Sequence, residues 1–176
     1  MRNVLLATAA LTLIAAPAMA QSIPNPQVNG SIGYTQLDGD DASLGAVTGR
    51  LTANFNRYVG VEGEASFGVV DDEITVAGVS GDISHEYDAA AYLVGTLPIN
   101  PNFELFGRVG YGTTSIKAEA AGLSATEDGE SVNYGAGANY FFDGRNGVRA
   151  DWTRRDFTDD NGGELDTYGL SYVRRF

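Results

Sequence analysis

Three stretches of this chain carry side chains of the kind that do chemistry. Glu62 and Glu64 stand two apart, the spacing of a general acid and base that share one strand face. Ser84 adjoins His85, the sole histidine, and together they are the residue types of a nucleophile and its base. The run Asp159-Asp160-Asn161-Gly162-Gly163-Glu164 offers oxygen ligands of the sort that hold calcium. None of the three is the favoured reading. A triad needs a third, orienting group and convergence in space, which sequence neighbours do not supply. The acidic run lacks the alternate-position ligand spacing of a calcium loop, so an ordinary acidic loop is favoured. The two glutamates are expected to pair with Arg108 or Arg50 rather than to share a substrate. No catalytic, cofactor-binding or metal-binding residue is assigned, and the chain reads as a non-enzyme.

The elements that must position these carboxylates repeat with a period of two. Eight alternating runs are predicted: 28–36, 47–55, 59–69, 86–97, 103–115, 131–140, 148–157 and 165–176. In the third, Val59, Val61, Ala65, Phe67 and Val69 share one face, and Gly60, Glu62, Glu64, Ser66 and Gly68 share the other. No run sustains a helical period of 3.6, so the fold class is all-β. Short turn-like connections ("NRY", "PINPN", "FFDGRNG") alternate with long polar ones around 38–46, 70–85, 116–130 and 158–164. That alternation describes an antiparallel up-and-down meander.

Arg2, a stretch of thirteen apolar or small residues and Ala18-Met19-Ala20 predict a secretory signal peptide over 1–20. Cleavage is expected between Ala20 and Gln21, leaving one domain over 21–176. With 11 basic and 23 acidic residues the net charge is -12, and removing Arg2 makes it -13, which argues against a nucleic-acid partner. The absence of cysteine excludes a disulfide framework. After Ala20 no apolar run reaches the ~18 residues of a membrane helix.

Alternation by itself fits a soluble ligand-binding barrel as well as a membrane barrel. Three further features favour the membrane. Aromatics of the apolar parity sort by height: Phe55, Phe103, Tyr140, Tyr172 and Phe176 lie toward the short turns. Tyr34, Phe67, Tyr87, Tyr111, Tyr134, Trp152 and Tyr168 lie toward the long loops. Two such girdles suit two bilayer interfaces. The polar parity gathers Arg50, Arg108, Arg149, Arg155 and Arg175 with Glu62, Glu64, Glu86, Asp88, Glu104 and Asp151, a near-neutral set that would pair within a narrow lumen. The surplus acid falls in the long connections: Asp38, Asp40, Asp41, Asp71, Asp72, Glu73, Asp82, Glu119, Glu127, Asp128, Glu130, Asp156, Asp159, Asp160, Glu164 and Asp166, against Lys117. The fold expected is an eight-stranded transmembrane β-barrel with its ends at the short-turn side. Arg154, on the apolar parity beyond Trp152, either contacts lipopolysaccharide phosphates or snorkels at the interface.

The stretches "GRLTANFNRYVGVEGEASFGV", "NYGAGANYFFDGRNGVRADWTRRDF" and "YGLSYVRRF" resemble the small outer-membrane β-barrel family that includes the transmembrane domain of OmpA, OmpX and the opacity proteins. The likeness spans essentially the whole chain after the signal peptide. It implies a Gram-negative outer-membrane location with periplasmic termini, contact with lipid and lipopolysaccharide, and insertion by the barrel-insertion machinery. It also implies that Gly169, Tyr172 and Phe176 form the C-terminal insertion signal, from whose pattern Arg174 departs. The role it implies is envelope integrity or surface interaction and adhesion through acidic extracellular loops, with divalent cations a plausible bridge to lipopolysaccharide. The alternative is a small diffusion porin for polar solutes.

Overall fold

The computed structural model describes residues 27–39, 43–70, 72–76, 79–120, 123–158 and 163–176, with side chains described outside 70–86 and 115–128. Ala18, Ala20 and Gln21 lie outside the described residues. The described residues form nine antiparallel strands: β1 Gln27–Asp38, β2 Ser43–Asn54, β3 Val59–Val70, β4 Asp72–Val76, β5 Val79–Asn100, β6 Phe103–Ala120, β7 Leu123–Phe141, β8 Asn146–Phe157 and β9 Glu164–Arg175. The described residues contain no helix. β4 continues β3 along the same edge of β5, so the staves number eight. β1 pairs with β9, and the sheet closes on itself. Closure pairs both edges of each stave over the middle of the barrel, the condition for placing a sheet in hydrocarbon. The shortest staves have 12 residues, enough to cross a ~30 Å hydrocarbon core when tilted by ~45°.

Neighbours in sequence are neighbours in the barrel, as tight turns demand. The turn from β7 to β8 shows how one is set. Asp143 accepts hydrogen bonds from the Arg145 and Asn146 amides at 2.9 and 2.6 Å, and Gly144 adopts φ +78°. That left-handed backbone favours glycine. The eight alternating runs all fall on strands, with only Phe55 and Phe176 one residue past the ends of β2 and β9. Two long connections, however, are ladder rather than loop. β4 and the start of β5 fill most of 70–85, while β6 and β7 stay paired from Phe103↔Tyr140 as far as Ala120↔Leu123. Apolar alternation marks a strand only where its two faces meet different media. Where the two faces need not differ in medium, backbone pairing persists without the pattern.

Alternation elsewhere sorts the faces as the register requires. Ile32, Leu51, Leu93, Val109, Tyr140 and Leu170 point outward, while Arg50, Glu62, Glu64, Arg108 and Asp151 are buried inside. The outer surface is therefore oily and the core polar, the inverse of a soluble barrel. Apolar side chains do enter the lumen near its ends: Leu37, Leu44 and Ala46 pack together at the long-loop mouth, and Phe141 and Val173 are buried near the short turns.

Candidate functional site

The lumen at mid-height is a cross-linked plug of four arginines and four carboxylates. Period-two alternation on β2, β3, β5, β6 and β8 aims Arg50, Glu62, Glu64, Asp88, Arg108, Arg149, Asp151 and Arg155 at the axis. Arg108 sits at the centre. Its Nη1 lies 2.9 Å from Glu62 and 2.8 Å from Glu64, and its Nη2 lies 3.0 Å from Asp151. Nε and Nη2 also donate to the Thr153 hydroxyl at 3.0 and 2.6 Å. Arg50 reaches Glu64 at 2.5 Å and Asp151 at 3.3 Å. Arg149 joins Glu62 at 2.6 Å and Asp151 at 3.0 Å, and Arg155 joins Asp88 at 3.0 Å and Glu64 at 3.2 Å.

Partial solvation does not explain this arrangement, because these side chains are between 0% and 4% exposed. Charges so placed persist only when paired and hydrogen-bonded. The remaining staves supply the neutral donors and acceptors. Arg50 donates to Ser171 on β9 at 3.2 Å and to Thr35 on β1 at 3.5 Å, and Asn133 on β7 donates to the Tyr92 hydroxyl at 3.3 Å. One connected network thus reaches every stave. Above it, Thr48 bonds Thr35 at 2.8 Å and Ser66 at 2.9 Å, a layer of small hydroxyls. Below it, the cavity bordered by Asn29, Ser31, Glu104, Asn139 and Arg149 measures about 10 Å³, about one water molecule.

Three lumen residues escape a reading based on charge alone. Arg108 lies 4.4 Å over the Tyr92 ring, Arg149 lies 4.2 Å over Phe106, and Arg175 lies 3.8 Å over Phe141. Each ring orients a guanidinium while filling space that polar chains leave open. A signal was available, since Phe106 lies between Glu104 and Arg108 at the lumen parity and Tyr92 shares parity with Asp88.

Glu104 and Arg175 form a separate pair, 3.0 Å apart, toward the short turns. The side chains of Glu86 and His85 lie outside the described set, as do residues 159–162 of the acidic run. Arg154 is committed to acid: Asp166 at 2.8 Å and Glu164 at 2.9 Å hold its guanidinium, and Trp152 Nε1 donates to the same Asp166 at 3.1 Å. Of the proposed girdle, Tyr34, Phe55, Phe67, Tyr111 and Tyr140 are exposed on the outer face, and Phe103 and Trp152 are half-buried there. Tyr134 and Trp152 meet edge-to-face with ring centroids 6.3 Å apart. Tyr172 and Phe176 point outward, and the Phe176 amide donates to Val28 O at 2.8 Å. Gly169 faces the lumen, where a Cβ would come within 3.1 Å of both Asp151 carboxylate oxygens. A side chain there would press on the plug.

The outer membrane protein β-barrel domain family model matches residues 6–176. A comparison with curated protein sequences finds no match. Among solved structures, the attachment invasion locus protein Ail of Yersinia pestis, crystallised with the heparin analogue sucrose octasulfate, is 24% identical. The match covers 87% of this chain and 100% of Ail, with a TM-score of 0.63. OprG from Pseudomonas aeruginosa superposes with a TM-score of 0.68 at 11% identity, over 89% of this chain and 98% of OprG. Neisserial surface protein A gives 0.57 at 8% identity, over 85% of this chain and 95% of its own. At these identities the likeness is one of fold.

Proposed function

Because the chain belongs to the outer membrane protein β-barrel family, we propose that it is a sealed, non-enzymatic scaffold whose work is done by its extracellular loops. It is an integral outer-membrane protein with its short turns and termini in the periplasm. The observation that supports the reading is the plug: a neutral, fully cross-linked lumen section with a gap of about 10 Å³ is poor material for a channel. Function then passes to the loops, as it does where a rigid barrel presents variable connections. Their acid excess defines the partner chemistry. Sixteen acids against Lys117 repel a sulfated polyanion of the kind bound to Ail, and favour cationic surfaces or divalent cations shared with lipopolysaccharide. Adhesion and envelope integrity both follow from such contacts. The signal peptide is removed after Ala20, and Gly169, Tyr172 and Phe176 direct insertion by the barrel-insertion machinery.

Conductance across a planar bilayer tests the scaffold against the diffusion porin. Leak-level current is expected from the folded protein. A steady pore well above leak, altered by Glu62→Gln or Arg108→Gln, rejects the sealed scaffold in favour of the porin. For the loops, rising calcium in lipopolysaccharide-containing membranes is expected to protect them from protease, and unchanged cleavage removes the cation bridge.

A further inference from the structure

Nine arginines lie among the described residues. Six of them, Arg50, Arg108, Arg149, Arg154, Arg155 and Arg175, have carboxylate partners. The other three, Arg57, Arg145 and Arg174, have no ion-pair partner among the described residues. All three are at the periplasmic rim. Arg57 is in the turn from β2 to β3, and Arg145 is in the turn from β7 to β8. Arg174 is on β9 opposite Asn146, one residue from Arg145.

Their setting is the boundary between hydrocarbon and water. Tyr58, Tyr140, Phe142, Tyr172 and Phe176 are exposed on the outer face around them, as interfacial rings are. Arg57 lies 5.4 Å over the Tyr58 ring and Arg174 lies 5.7 Å over Phe176. Ring contact limits the sweep of each guanidinium while leaving its donors available. The local countercharge is small. Asp143 is occupied by the Arg145 and Asn146 amides and by Asn146 Nδ2 at 2.7 Å. The extracellular rim differs in kind, because its one described arginine, Arg154, is held by two carboxylates.

We infer that the periplasmic rim is a binding surface for the phosphate headgroups of anionic glycerophospholipids in the periplasmic leaflet. Unpaired guanidinium forks at headgroup depth match phosphate oxygens in charge and in geometry. The acid-rich loops lie at the other leaflet, so a negative headgroup meets attraction at one end of the barrel and repulsion at the other. Lipopolysaccharide, confined to the outer leaflet, does not reach this rim.

The test folds the protein into phosphatidylcholine vesicles and measures first-shell association of spin-labelled phosphatidylglycerol against spin-labelled phosphatidylcholine. A preference of roughly threefold to tenfold for phosphatidylglycerol is expected at low salt, given the usual pull of a surface arginine on anionic lipid. It should fall toward parity in ~1 M salt, where screening is nearly complete. The triple change Arg57→Gln, Arg145→Gln and Arg174→Gln should abolish it, with folding verified by heat-modifiable gel mobility. Arg154→Gln should leave it intact. Equal association of the two lipids in the unaltered protein overturns the inference, as does a preference that survives salt or the triple change. Loss of the preference on Arg154→Gln also overturns it, by placing the lipid at the wrong rim. Should the triple variant fail to fold, the two turn changes and the salt series on the unaltered protein decide the matter.

Discussion

Arg108 in the lumen and Arg154 at the extracellular rim make contacts that look alike on paper. Each holds carboxylates from two or more directions at about 3 Å. They differ in what surrounds them: the Arg108 side chain is 0% exposed and the Arg154 side chain 33%. At the rim, water and salt replace a lost partner at little cost, so the ion pair is mainly a local tether. In the lumen nothing replaces it. The charges there sum to zero because each unpaired one would be several kcal/mol out of place. Outside, no such constraint acts, and acid accumulates in the loops.

The largest effect should come from breaking the plug. Arg108→Ala removes the central charge shared by Glu62, Glu64 and Asp151, leaves four carboxylates to three arginines, and is expected to cost about 3–5 kcal/mol. It should appear as a lower urea midpoint for the heat-modifiable gel band in micelles. A loss under ~1 kcal/mol would mean that water already enters the lumen. The outer wall supplies the next test. Leu93→Arg, at mid-strand on the exposed apolar face, should cost about 2–4 kcal/mol in bilayers. A neutral outcome would indicate that lipid does not cover this face. Arg154→Ala should then cost at most ~1 kcal/mol, with the deficit shrinking in high salt. An effect equal to that of Arg108→Ala would dissolve the contrast between the two regions. The smallest effect concerns the β7–β8 turn. The amides of Asn146 and Arg145 and the Asn146 side chain hold the Asp143 carboxyl at about 2, below its ordinary 3.8. Since the folded value is the lower one, the turn's contribution is present above pH ~4 and is lost as pH falls through about 2. Carboxyl carbon NMR shifts followed against pH should stay flat until below pH ~3, and a midpoint near 4 would show the cap to be absent.

These contrasts also mark how far the sequence is legible. Val59-Gly60-Val61-Glu62 already declares a strand with an oily and a polar face, because side chains alternate at every step whatever the strand pairs with. The same reading, applied at 70–85 and 116–130, takes paired strand for loop, since it detects a change of medium rather than backbone pairing. Arg154 shows a second limit. Its parity is plain from the sequence, yet its commitment to Asp166 and Glu164 depends on how β8 registers with β9.

The sequence by itself determined the eight alternating staves, the short turns between them and the location of surplus acid. All of these follow from a two-residue period and from local turn chemistry. Only the tertiary structure decided that Arg149 meets Glu62 and that Arg50 meets Asp151, partners 87 and 101 residues apart. It also decided which rings lie under the guanidinium groups and which three arginines have no carboxylate partner among the described residues. The physical reason is distance: parity fixes the face, but the stagger of eight strands around a closed barrel fixes the height at which each side chain crosses the axis.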